Sequence, residues 1–178
     1  MVYNIMTNYE GGEIMIFSKA KLFRKTEVSQ EMICAVEYDD NMEYYAFLRN
    51  AKTEGYRQII VTSEIMIQLI RMACMDKGYS VYKIEFAEED LDLEQEMNFL
   101  IQRASANSAC LADLIDKVKF LAEQSSIDIR KIYIKGAYNG SFAPNFFVQS
   151  NGIIGVNKES YDLLSKEIST VVERCLLQ

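Results

Sequence analysis

Between Thr62 and Gly78 the chain carries a helical segment that is apolar on nearly every side. Its polar positions Glu64, Gln68 and Arg71 fall on a single stripe, and almost everything else is hydrophobic. A surface helix keeps a broad polar arc, so this one has to be covered on most of its circumference. It is therefore expected near the centre of the fold, opened by Thr62 or Ser63 and closed by Gly78.

Its flanks suggest what covers it. Residues 56–62 (YRQIIVT) and 79–86 (YSVYKIEF) read as strands, and strand, helix and strand in succession predict a parallel, right-handed βαβ unit. Upstream, 14–23 (IMIFSKAKLF) reads as a strand, whereas 28–38 (VSQEMICAVEY) fits either a helix or a strand. Asp40 and Glu43 stand at capping-box spacing before a helical face of Tyr44, Phe47, Leu48 and Ala51, with Gly55 as its stop. Downstream, Leu93, Met97, Leu100, Ile101 and Ala104 form one apolar stripe. A second runs from Leu111 through Leu114, Ile115 and Val118 to Leu121 and Ala122. The intervening SANS makes the two an αα-hairpin, with Asp113 and Lys117 placed for an i,i+4 ion pair.

The last third alternates with period two. IDIRKIYIKG (127–136) does so with a slip near Arg130, and Asn139-Gly140 and Asn151-Gly152 are hairpin turns. A β-meander over about 127–156 follows, in which Pro144 demands an edge or a bulge. Asn157 should cap a final helix with Tyr161, Leu164, Ile168, Val171, Val172 and Cys175 on its face. The fold class is α/β to α+β. It comprises a mixed sheet with one βαβ unit, a central helical hairpin and a C-terminal antiparallel β-meander followed by a helix.

The 178 residues suit one domain, assigned to 15–178. Residues 1–14 are set apart as a non-native or disordered extension. The codons for Glu10-Gly11-Gly12-Glu13 would match a bacterial ribosome-binding site just upstream of Met15, so translation is expected to start at Met15. The same match points to a low-GC Gram-positive bacterium, or a phage or mobile element within one. No stretch approaches the roughly 20 apolar residues of a membrane span, and residues 1–13 lack the basic start and apolar core of a signal peptide, so none is expected there. The expected location is the cytoplasm, with no membrane partner.

The chain contains no histidine, so Ser-His-Asp, Cys-His and histidine phosphotransfer chemistry are excluded, as are His-ligated metals. Cys34, Cys74, Cys110 and Cys175 form no C-x-x-C pair and read as small packed hydrophobes. No metal and no cofactor are expected. A net charge of −7 argues against nucleic acid and is compatible with a basic partner.

Three places could carry binding. The run Glu88, Glu89, Asp90, Asp92, Glu94 and Glu96 lacks the spacing of a calcium loop and suits the start of a helix. Gly155, Asn157, Lys158 and Ser160 lie where a helix N-terminus could hold an anion, although the spacing is not that of a P-loop. Tyr45, beside Asp39 and Asp40, sits next to its helix's apolar stripe and suits a protein contact, whereas Tyr44 belongs to the core. No catalytic residue is assigned. The resulting expectation is a non-enzymatic interaction protein of the accessory, immunity or inhibitor type, with a protein partner and with homo-oligomerisation left open. The alternative is a small-ligand or nucleotide enzyme using carboxylates and backbone N–H groups.

Overall fold

A computed structural model describes residues 17–27, 30–38, 41–137 and 143–177. The proposed start at Met15, the Asn139-Gly140 turn and the acidic pair Asp39 and Asp40 lie outside them. Among the described residues the fold is α+β, with five α-helices and seven strands, and the ladders β1–β2, β1–β3, β1–β7, β4–β5 and β5–β6 are antiparallel. The contacts cluster into two compact units. Among the described residues, the first is formed by those up to Ile60 together with those from Asn151 on, and the second by those between Val61 and Ser150.

The first unit is built on β1 (Phe17–Glu27). The ambiguous stretch resolves as strand β2 (Gln30–Glu37), paired with β1 from Ala20↔Glu37 to Glu27↔Gln30. The strand alternation of 32–38 prevails because one of its faces is needed inside. Opposite edge positions of β1 are taken by β7 (Ile153–Asn157) and by the two residues of β3 (Arg57–Gln58). Alternation sends Ala20 and Leu22 to one side and Phe23 to the other, all at 1 % exposure or less. Helix α5 (Tyr161–Leu177) contacts β2 and β7 and buries Leu164, Ile168 and Val172, while Glu173 accepts a hydrogen bond from Ile33 N at 2.9 Å. On the Phe23 side lies α1 (Tyr44–Thr53), which buries Phe47 and Ala51. It ends at Gly55, whose φ of +86° only glycine adopts cheaply.

In the second unit, α2 (Ser63–Arg71) is the apolar helix expected at the centre, and it buries Ile65, Met66, Ile67, Leu69 and Ile70. Thr62 caps it by accepting from Ile65 N, and a π-helical turn (Met72–Asp76) carries it to Gly78 at φ +67°. Strand β4 (Ser80–Phe86) pairs with β5 (Ile129–Lys135), and β5 with β6 (Asn145–Gln149). Helices α3 (Leu91–Ala106) and α4 (Leu111–Gln124) form the expected hairpin, with Asn107 Oδ1 accepting from Ala109 N in the turn.

Several local expectations are corrected. Strand, helix and strand do succeed one another over 57–86, but not as a parallel pair: β3 pairs with β1 and β4 with β5. Glu43 occupies the N-cap position of α1 rather than the third helical one, and its side chain makes no capping bond. Asp113 bonds Arg103 and Lys117 bonds Glu96, so the i,i+4 pair gives way to two bonds between helices. Pro144 precedes β6, where its missing N–H costs the ladder nothing, and its carbonyl accepts from Gly136 N. Asn157 ends β7 without capping, followed by a 3-10 turn (Lys158–Ser160). The slip at Arg130 is present as a bulge, since Glu85 pairs with Lys131 and Phe86 with Ile129.

Candidate functional site

The α3–α4 hairpin carries two phenyl rings that its core does not use. The inward stripe of α3 is Leu93, Met97 and Ile101, and that of α4 includes Leu114, Val118 and Leu121. Phe99 and Phe120 fall off these stripes and are 59 % and 54 % exposed. The Arg103 guanidinium, one turn beyond Phe99, stands 5.6 Å from that ring, and Lys117 Nζ stands 6.0 Å from Phe120. Both cations also reach across to the other helix. Arg103 is 3.4 Å from Asp113 Oδ2, and Lys117 is 2.7 Å from Glu96 Oε2. Each exposed ring is thus backed by a cation whose position the opposite helix fixes, which reduces the freedom that binding would otherwise have to remove.

A second constellation lies on the β4–β5–β6 face that carries Tyr133 rather than Ile132 and Ile134. Glu85 is its hub. Lys83 Nζ donates to Glu85 Oε1 at 2.8 Å, Tyr133 OH donates to the same oxygen at 3.0 Å, and Arg130 donates to Oε2 at 3.3 Å. Lys131, 6 % exposed, places its ammonium 3.8 Å from the Phe147 ring centre and 4.4 Å from that of Tyr133. Burial alone would raise the Glu85 carboxyl. The bonds from Lys83 and Tyr133, with the charges of Lys83 and Lys131, outweigh it and hold the group below the usual carboxylate range. Burial and the Glu85 carboxylate push the Tyr133 phenol well above its usual range, so it remains a donor.

A carboxylate held ionised by three donors organises structure and is not poised as a general acid. Replacing Glu85 with glutamine should cost about 1 kcal/mol near neutral pH, the upper end for exposed ion pairs, because Glu85 is mostly covered while Lys83 and Arg130 are half-exposed. Since the folded-state carboxyl is depressed, its contribution is present above the ordinary carboxylate range and disappears as pH falls through the folded value. Urea midpoints of the two proteins should therefore converge in acid. A gap that widens there would contradict the assignment.

Beside this hub a groove of about 500 Å3 is lined by Lys83, Glu85, Asp90, Leu91, Glu94 and Arg130, among others. Two of its carboxylates are already engaged: Glu85 as above, and Asp90 by capping α3, its Oδ1 accepting from Asp92 N and Leu93 N. The acidic run thus opens a helix, as its composition suggests. Among the described residues no group of acidic and cysteine side chains is arranged to hold a metal ion. Cys74 lines a smaller cavity of about 170 Å3, and burial pushes its thiol up, away from the reactive thiolate. Cys34 and Cys110 are half-buried, whereas Cys175 is exposed and does not pack inside.

The residues singled out from sequence are dispersed. Tyr45 is 74 % exposed on α1, edge-on to Tyr44 with ring centres 6.1 Å apart. Gly155 lies within β7, paired with Lys19. Asn157 donates through Nδ2 to Glu159 Oε2 at 3.3 Å, Lys158 is exposed, and Ser160 is buried with its Oγ unbonded among the described residues. Burial, aided by Glu37 and Asp162, pushes the neighbouring Tyr161 phenol up to about 12. Carboxylates at 159 and 162 oppose an anion at this helix start. The hairpin rings were missed by sequence reasoning, but a signal exists: Phe99 and Phe120 are aromatic residues off the apolar stripe, each at helical spacing from a cation.

No family model, curated protein or solved structure matches the chain. Among the described residues no helix is long and apolar enough to cross a membrane.

Proposed function

We propose that this is a non-enzymatic protein-binding module of the cytoplasm, of the accessory, immunity or inhibitor type. The observation that carries the reading is the pair of exposed phenyl rings on the α3–α4 hairpin, each backed by a cation fixed from the opposite helix. Large aromatic groups presented rigidly are what binding hot spots are made of. The origin proposed with this role is a low-GC Gram-positive bacterium or its mobile elements. Codons for 10–13 that spoil a ribosome-binding match would remove that part.

The enzyme alternative has one observation in its favour, the carboxylate-lined groove. The engagement of Glu85 and Asp90 weakens it, because carboxylate catalysis needs groups free to exchange protons. The full chain, immobilised and exposed to an extract of its source organism, is expected to retain one protein partner at a stoichiometric level. Failure to retain any, together with a thermal shift produced by a nucleotide or a divalent cation, would favour the enzyme.

A further inference from the structure

We infer that the outer side of the α3–α4 hairpin receives the apolar face of a lysine- or arginine-rich amphipathic helix from a protein partner. The inference rests on the protein-binding reading above and adds the place and the chemistry of the partner. Three observations support it.

The first is the shape of the anchors. Phe99 belongs to α3 and Phe120 to α4, and both lie beside the ion pairs that link the two helices, Arg103–Asp113 and Lys117–Glu96. The rings therefore stand beside the same helix–helix contact instead of on unrelated surfaces. Helix α3, with 16 residues, is about 24 Å long, which matches a partner helix of similar length laid along it.

The second is charge. Residues 88–124 contain nine carboxylates (Glu88, Glu89, Asp90, Asp92, Glu94, Glu96, Asp113, Asp116 and Glu123) and three cations, Arg103, Lys117 and Lys119. That balance of −6 compares with −7 for the whole chain, so the acidity of the protein is concentrated on and around this hairpin. Two of the three cations are neutralised by carboxylates of the hairpin itself. Glu88, Glu89, Asp90 and Glu94 line the groove beside Glu85, which leaves Asp92, Glu96, Asp113, Asp116 and Glu123 against the three cations. An approaching surface still meets a net negative hairpin, whose field a basic rim around an apolar face complements. A second copy of the same acidic face is disfavoured by the same field.

The third is that the rings have no role in holding the unit together. The core stripes of both helices are complete without them, with Met97, Leu114 and Val118 at 1 % exposure. A phenyl ring more than half exposed gains little in the isolated chain, whereas a bound apolar face would cover it.

The test uses the full chain and two synthetic helical peptides of about 18 residues with the same leucine pattern, one with lysine and one with glutamate at its polar positions. Fluorescence anisotropy should show binding of the leucine–lysine peptide alone, weakening as salt rises from ~50 to ~300 mM. The double variant Phe99→Ala/Phe120→Ala should lose affinity by at least about fivefold while keeping its melting temperature, because both side chains are exposed. Binding of the glutamate peptide with equal affinity, a loss smaller than fivefold, or dimerisation of the chain that the double variant abolishes would each overturn the inference. The broader reading fails separately. A natural partner still retained by the double variant removes this surface and leaves protein binding intact, whereas no retained partner removes protein binding itself.

Discussion

Truncating Phe23 to alanine is expected to lower the unfolding free energy by about 3–5 kcal/mol, the usual range for deleting a fully buried ring. Phe23 is 1 % exposed, and its ring centre stands 5.8 Å from that of Phe47 and 5.6 Å from that of Tyr56. Tyr38 extends the cluster, 5.1 Å from Phe47 and 5.9 Å from Tyr44. These rings are what fastens α1 to β1 and β2, because the helix buries only Phe47 and Ala51 of its own residues. The loss should therefore appear unevenly. Amide exchange along 44–53 should accelerate more than exchange along 161–177, whose helix packs on the Ala20 and Leu22 side. Phe23→Leu, which keeps most of the volume, should recover more than half of the loss. Equal acceleration in both helices would show that the cluster stabilises the unit globally and does not fasten one helix. Tyr45 supplies a functional reading of the same variant. Its exposed ring rides on α1, so a protein contact through Tyr45 should weaken when α1 loosens, whereas a contact through Phe99 and Phe120 should not.

What the sequence made legible follows from which forces are local. The all-round apolar pattern of 63–77 could be satisfied only inside, and the structure buries that helix with Thr62 as its cap. Period-two alternation with a slip at Arg130 became a strand with a bulge, because side-chain direction is set within a few residues. Pairing is decided at long range. Nothing within 56–62 says that only Arg57 and Gln58 join a ladder, or that β1 is their neighbour. The same holds for Asp113 and Lys117. Helical spacing offered them each other, but Arg103 and Glu96 on the facing helix prevailed, as exposed ion pairs differ by only a few tenths of a kcal/mol. No composition break marks the division at residues 60 and 150, since both crossings are short connections between regular elements. The hairpin rings were legible as residues off their stripes at helical spacing from a cation, but the fixing of those cations from the opposite helix was not.

Lysine 21 should make the stability of the protein depend on pH in an unusual direction. Its side chain is 1 % exposed, and its ammonium donates to the carbonyls of Asn151 and, at 3.4 Å, Ile59. It thereby ties the turn at Gly152, whose φ is +79° and whose own carbonyl accepts from Leu22 N at 2.8 Å. Burial lowers the lysine from the ordinary 10.5 to about 8. Since the folded value is depressed, the folded state holds fewer protons than the unfolded state between those limits, and stability rises with pH across that window. Below about pH 8 the charged lysine opposes folding by about 3 kcal/mol, and above 10.5 that opposition is gone. Lys21→Met removes the charge but leaves two carbonyls without their donor, a loss of about 1–3 kcal/mol each when buried. The opposing effects nearly cancel at neutral pH, so the variant should unfold there within about 1–2 kcal/mol of the wild type. At pH 10.5 only the orphaned carbonyls remain to distinguish them, and the wild type should lead by about 3 kcal/mol more than it does at pH 7. Paired urea titrations at the two pH values measure that difference directly, with the titration of other lysines and tyrosines common to both proteins. A gap independent of pH would mean that Lys21 keeps its ordinary affinity for protons in the folded chain, held by the carbonyls of Asn151 and Ile59 strongly enough to offset its burial.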